Sequence, residues 1–72
     1  MNGPNQAELR ARLRALAAKM PPGAAEWPQH KAAQFKADLR AAHRAADHPL
    51  AGAWVLRQAL QTLATYHEPP SP

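Results

Sequence analysis

Histidine and aspartate, two residue types that can bind a metal ion, lie close together in the second half of this chain. His43 and His48 are five positions apart, with Asp47 between them. Ligands on a helix must share one face, as residues three or four apart do, and a zinc site needs four ligands. The two histidines lie on either side of a predicted helix boundary at Pro49, and the chain has no Cys. We therefore expect no metal and no cofactor.

Side chains of the kind that catalyse reactions are few and scattered. Ser71 is the only serine and lies near the C-terminus, and Glu26 is the only carboxylate near Trp27. No glycine-rich phosphate loop is present. Eighteen alanines supply most of the 46% hydrophobic content, which leaves little bulk to enclose a substrate pocket. We expect a protein without enzymatic activity.

Basic side chains form the clearest chemical pattern, since nine Lys and Arg against five Asp and Glu give a net charge of +4. Lys36, Arg40 and Arg44 recur at every fourth position and so follow one flank of a helix, where they could contact phosphates. We favour the other interpretation, in which this run is the solvated face of an ordinary helix, as most runs of charge are. The nucleic-acid alternative uses six residues: Lys31, Lys36, Arg40, Arg44, Arg10 and Arg14.

Trp54 is the apolar residue that points most directly at function. In a helix over residues 51–67 it projects almost opposite to the apolar side, beside Arg57, Gln58 and Gln61. A large aromatic ring on a polar face needs a cover. Either the loop that holds Trp27 folds over so that the two indoles meet, or a partner protein covers Trp54.

Three helices must position these residues, and proline sets their limits. The first is predicted over residues 6–19, because Asn5 followed by Glu8 is typical of a capping box and Pro21 ends the pattern. Its apolar stripe is Leu9, Leu13, Leu16 and Met20. The second is predicted over residues 29–46, with apolar positions Ala32, Phe35, Leu39, Ala42 and Ala46.

A third helix is predicted over residues 50–67, with Asp47 or His48 as its N-cap and Pro49 in its first turn. It carries the widest apolar arc and is therefore expected to be central in the fold. The sequence after it, EPPSP, predicts a disordered tail over residues 68–72.

The predicted fold class is all-α, a compact three-helix bundle that forms a single domain over residues 1–67. The alternative is a helical hairpin that completes its core by dimerising. A homodimer could also form through Val55, Ala59, Thr62 and Tyr66 on the third helix.

We expect a small regulator or adaptor that binds another protein and modulates it, as inhibitors of transcription and other machinery do. The partner is expected to have an apolar groove and an acidic rim. The expected contacts are Leu50, Trp54, Arg57 and Gln61, while Arg40 and Arg44 steer the encounter electrostatically. No apolar run approaches the ~20 residues of a membrane span, so a cytoplasmic location is expected. The Ala- and Arg-rich composition without Ile indicates a bacterial, phage or plasmid source.

Overall fold

The computed structural model describes residues 5–68, which form three α-helices. They are α1 (Gln6–Ala17), α2 (Gln29–Asp47) and α3 (Ala53–His67), and a short 3₁₀ helix, Ala24–Glu26, lies between the first two. All three α-helices pack against one another, so the predicted three-helix bundle is confirmed. Apart from Glu68, the predicted tail over residues 68–72 lies outside the described residues. No helix of the described part is long and apolar enough to cross a membrane.

Helix α1 begins as predicted and ends two residues early. The side chain of Asn5 accepts a hydrogen bond of 2.8 Å from the backbone amide of Glu8, which caps the first turn. The helix stops at Ala17 because two prolines follow closely and cannot continue it. Met20 is therefore outside the helical register and is 77% exposed, while Ala17 takes its place in the core. The prediction that Met20 extends the apolar stripe is wrong.

The boundary between α2 and α3 also differs from the prediction. Helix α2 continues to Asp47, and His48 is extended because a proline follows it. The N-cap of α3 is Gly52, so the assignment of Asp47 or His48 to that position is wrong. Pro49 lies in the turn between the helices rather than in the first turn of α3.

The core confirms the predicted central position of α3, which makes larger interfaces with α1 and α2 than those two make with each other. The most deeply buried side chains of the core are Leu13, Leu56 and Leu63. Side chains from α1, from α2 and from the turn before α3 complete the core: Leu9, Ala17, Phe35, Ala42, Ala46 and Ala51. Four of these six residues are alanine, whose small side chain lets the helices approach one another closely.

Candidate functional site

Trp54 lies in the first turn of α3 and is 70% exposed. It lies at a shallow depression between α1 and α3 of about 590 Å³, which we call the α1–α3 groove. The groove is lined by Leu16, Trp54, Arg57, Gln58, Leu60, Gln61 and Ala64. Leu16 and Leu60 are half-buried and pack against the core, so they form an apolar floor. The structure thus brings Trp54 together with Arg57 and Gln61, three of the predicted contact residues.

Trp27 does not cover Trp54. Its ring centroid lies 5.4 Å from that of Phe35 and 5.6 Å from that of Tyr66, and the Nζ atom of Lys31 is 4.7 Å from the same ring. Trp54 and Tyr66 are twelve positions apart on α3, which places them about 18 Å apart along the helix axis. The interpretation in which the two indoles meet is therefore wrong.

Among residues 5–68, no carboxylate lines the α1–α3 groove. Two of the acidic side chains are bound elsewhere, since Asp38 accepts a 2.6 Å hydrogen bond from the Tyr66 hydroxyl and Asp47 pairs with Arg14. Arg57 is the one charged residue of the lining. The groove is therefore apolar along its floor and positive at its edge.

Leu50 belongs to a different surface from Trp54. It is 85% exposed and precedes α3 by three residues, so it does not follow the register of that helix. Its backbone amide donates to Nδ1 of His48 at 3.1 Å. Together with the exposed Val55 it borders a second depression, between the end of α2 and the start of α3. Leu50, one of the predicted contact residues, therefore lies outside the α1–α3 groove.

Two of the predicted phosphate-binding arginines are engaged inside the chain. Arg10 Nη2 donates to the carbonyl oxygens of His48 at 2.6 Å and Ala51 at 3.3 Å. Arg14 Nη2 donates to the carbonyl oxygen of Ala46 at 2.9 Å. These contacts join residues more than thirty positions apart. The sequence gives one indication of these contacts, which is that both arginines flank the apolar stripe of α1 on the same side.

The other predicted basic residues divide into two groups. Lys36, Arg40 and Arg44 are exposed along the outer face of α2, and none of them pairs with a carboxylate of residues 5–68. Lys31 is separate, because its ammonium group lies over the ring of Trp27. Lys31 precedes Lys36 by five positions, so the two residues are about 140° apart around the axis of α2. The structure therefore leaves three residues in the predicted basic ridge.

The face suggested for a homodimer is used only in part within the chain. Ala59 and Tyr66 pack against the core, and the ring of Tyr66 lies 5.0 Å from that of Phe35 on α2, whereas Val55 and Thr62 are exposed. A homodimer stays a prediction.

The two histidines considered as metal ligands do not form a site with other ligands. His43 is exposed on α2, while Nδ1 of His48 accepts the backbone hydrogen bond from Leu50. Within residues 5–68, no three His, Asp or Glu side chains come close enough together to hold an ion.

No protein-family model, curated protein or solved structure matches the chain.

Proposed function

We propose that this protein is a non-enzymatic regulator that binds an amphipathic helix of another protein in the α1–α3 groove. The observation that supports this proposal is the exposed indole of Trp54 at the edge of an apolar floor. A fully covered tryptophan removes roughly 150–250 Å² from water. Tryptophan is also enriched among the interface residues whose truncation costs ~2 kcal/mol or more in complexes. Trp54 is therefore the expected anchor of the interface.

The shape of the groove favours a helix as the bound element. Trp54, Gln58, Gln61 and Ala64 follow one another along α3 at steps of three and four residues. A helix laid beside them presents its own apolar residues at the same spacing, which is the usual form of recognition between a helix and a groove. The partner then supplies the apolar ridge. This reverses the expectation from the sequence, in which the partner supplied the groove.

Charge favours an acidic partner. Arg57 lies in a groove without a carboxylate, and the chain as a whole carries a net charge of +4. Acidic side chains that flank the apolar ridge of the partner would pair with Arg57 and accept from the amide of Gln61. Binding would cover the apolar face of that helix and so keep it from its other contacts. This is how we propose that the protein modulates its partner.

The test is selection from a displayed library of amphipathic helical peptides that differ in their acidic content. Enriched peptides are expected to carry apolar residues at helical spacing with acidic flanks. Their affinity is then measured by fluorescence anisotropy of the labelled peptide. Trp54→Ala should weaken binding by about 30-fold or more, which corresponds to ~2 kcal/mol. Arg57→Gln should weaken it less, and by an amount that falls as salt is added.

Met20→Ala is the matched control, because Met20 is also a large exposed apolar residue but lies outside the groove. It should leave peptide affinity unchanged. Thermal unfolding checks the fold, and Trp54→Ala should change stability by no more than about 0.5 kcal/mol. Failure to enrich any such peptide would contradict the proposal. So would equal binding by Trp54→Ala, or a several-degree loss of melting temperature in that variant with its binding intact.

A further inference from the structure

We propose that the outer face of α2 is a second binding surface, which holds the phosphate backbone of duplex DNA without reading its sequence. The surface consists of Lys36, Arg40 and Arg44, which we call the basic face. It shares no residue with the α1–α3 groove and does not depend on the function proposed above.

The basic face has a regular geometry. Its three residues are four positions apart, so they are separated by about 6 Å along the axis of α2 and span about 12 Å. Each step also turns by about 40°, which keeps all three on one side of the helix. All three are exposed, and no carboxylate of residues 5–68 lies within 4.0 Å of their charged groups.

The two acidic residues of α2 have other partners. Asp38 accepts hydrogen bonds from the Tyr66 hydroxyl at 2.6 Å and from the Gln34 amide at 3.4 Å, on the side of α2 that faces α3. Asp47 lies at the end of the basic face, where it would weaken the positive potential, but it is 3.0 Å from the guanidinium of Arg14. The charge of that pair cancels. The three positive charges of the basic face are therefore not paired with either acidic residue of α2.

The side chains around the basic face favour a duplex over a single strand. The four large aromatic residues of the chain all lie elsewhere, three in the cluster of Trp27, Phe35 and Tyr66 and one in the α1–α3 groove. Recognition of single strands usually needs such rings to stack on bases.

Between the basic residues lie the exposed Ala37, Ala41 and His43, and the small size of the two alanines lets α2 approach a rigid rod closely. The alanines offer no hydrogen-bonding group to a base edge. Contacts from Lys36, Arg40 and Arg44 to phosphates hold DNA but carry no sequence information. We therefore expect binding that is independent of sequence.

The position of the basic face also determines whether a helix in the α1–α3 groove and a DNA duplex can bind at the same time. In a three-helix bundle, the groove between two helices lies on the opposite side from the third helix. The α1–α3 groove and the outer face of α2 are thus on opposite sides of this protein. A bound helix and a bound duplex would not collide, so one molecule can bring an acidic protein to DNA.

The test is a titration of the full chain into labelled duplex DNA, followed by fluorescence anisotropy at several salt concentrations. Three phosphate contacts predict a slope of log affinity against log salt of about −2.7. In the double variant Arg40→Gln/Arg44→Gln, one contact remains and the slope should fall to about −0.9. Two duplexes of unrelated sequence should bind with equal affinity.

Arg12→Gln/Lys19→Gln is the matched control. It removes the same net charge from exposed positions that lie on or just after α1. DNA binding should keep its slope in this control, and both double variants should keep the melting temperature of the parent. Binding of peptide in the α1–α3 groove should be unaffected by Arg40→Gln/Arg44→Gln, so the two proposals fail separately.

Several results would overturn the proposal for the basic face. They are an absence of DNA binding at low salt, equal weakening in both double variants, and a preference of tenfold or more for one duplex sequence. Single-stranded DNA or polyglutamate that competes as well as the duplex would show a general polyanion surface instead.

Discussion

Arg14 of α1 lies 3.0 Å from Asp47, the last residue of α2, through its Nη1 atom and the Oδ1 atom of the carboxylate. The other terminal nitrogen of the same guanidinium donates to the carbonyl oxygen of Ala46. One turn earlier on α1, Arg10 donates to the carbonyl oxygen of His48. The last carbonyls of a helix have no partner within it and carry partial negative charge. Two arginines of α1 therefore cap the C-terminal end of α2.

Replacement of Arg10 by methionine tests this cap. Arg10→Met keeps a long apolar stem and removes the donors, so the carbonyl groups of His48 and Ala51 lose their bonds to the guanidinium, and that of His48 keeps only the bond from the backbone amide of Ala51. We expect a loss of about 1–3 kcal/mol in the free energy of unfolding. In a domain of this size each kcal/mol lowers the melting temperature by roughly 4–8 °C. Circular dichroism during thermal unfolding measures the change.

Arg14→Met should have a smaller effect, of about 1 kcal/mol or less. The Arg14 and Asp47 side chains are 57% and 69% exposed, and exposed ion pairs contribute little because water screens them. Arg12→Met is the control, since Arg12 is exposed and makes no hydrogen bond or ion pair with residues 5–68. It should change stability by no more than about 0.5 kcal/mol. Equal losses for Arg10→Met and Arg12→Met would contradict the capping role.

Local signals predicted much of the fold. Asn5 caps α1 through a neighbour three positions away, and the spacing of Leu9 and Leu13 follows directly from the helical period. The contacts of Arg10 and Arg14 could not be predicted in this way. Their acceptors lie in another helix and the turn after it, and no local pattern shows which side of α1 faces that end.

The start of α3 was predicted wrongly for a different reason. Pro49 is compatible with the first turn of a helix and also with a turn between helices, so its type alone does not choose between the two. Asp47 is a favourable N-cap residue, yet it ends α2 beside Arg14. The prediction that α3 begins at residue 50 placed Leu50 on the helix, whereas it lies in the turn before α3. Trp54 lies on α3 whether the helix begins at residue 50 or at Ala53, so its place on the polar side was predicted, while the sequence left its exposure open.

The hydrogen bond between Tyr66 and Asp38 predicts a loss of stability at high pH. Burial of the Tyr66 phenol, the hydrogen bond to Asp38 and the charge of that carboxylate together raise the pKa of Tyr66 to about 12. The folded pKa lies above the unfolded value of about 10. The stability that the protonated hydroxyl contributes is therefore fully present below about pH 10 and is lost as the pH rises through about 12.

Tyr66 is the only tyrosine, so the absorbance of tyrosinate reports its titration directly. Asp38→Asn should lower the measured pKa toward 10. A shift of two pH units corresponds to at most about 2.7 kcal/mol, and partial contact with water reduces that figure. Urea unfolding should show a steeper decline between about pH 10 and 12 in the parent than in Tyr66→Phe. A parent titration centred near pH 10 would contradict the prediction.

Gly23 and Gly52 lie in the connections between the helices, and we expect a side chain at these two positions to have opposite effects on the stability of the fold. Gly52 caps α3 with φ −79° and ψ 169°, and no side chain accepts a hydrogen bond there. A Cβ atom at either Gly52 or Gly23 would meet nothing within 4 Å, but Gly23 has a φ of +74°. Gly52→Ser should stabilise the fold by about 0.5–1 kcal/mol, through a new N-cap and a less flexible unfolded chain.

Gly23→Ala should instead destabilise the fold by about 1 kcal/mol, because a left-handed backbone brings Cβ too close to the following carbonyl oxygen. The free energies of urea unfolding of the two variants and the parent measure both effects. Shifts of the same sign would contradict the account, since the space around the two residues is equally open and only the backbone angle differs. Opposite shifts would show that the backbone angle, and not packing, decides which residue each connection tolerates.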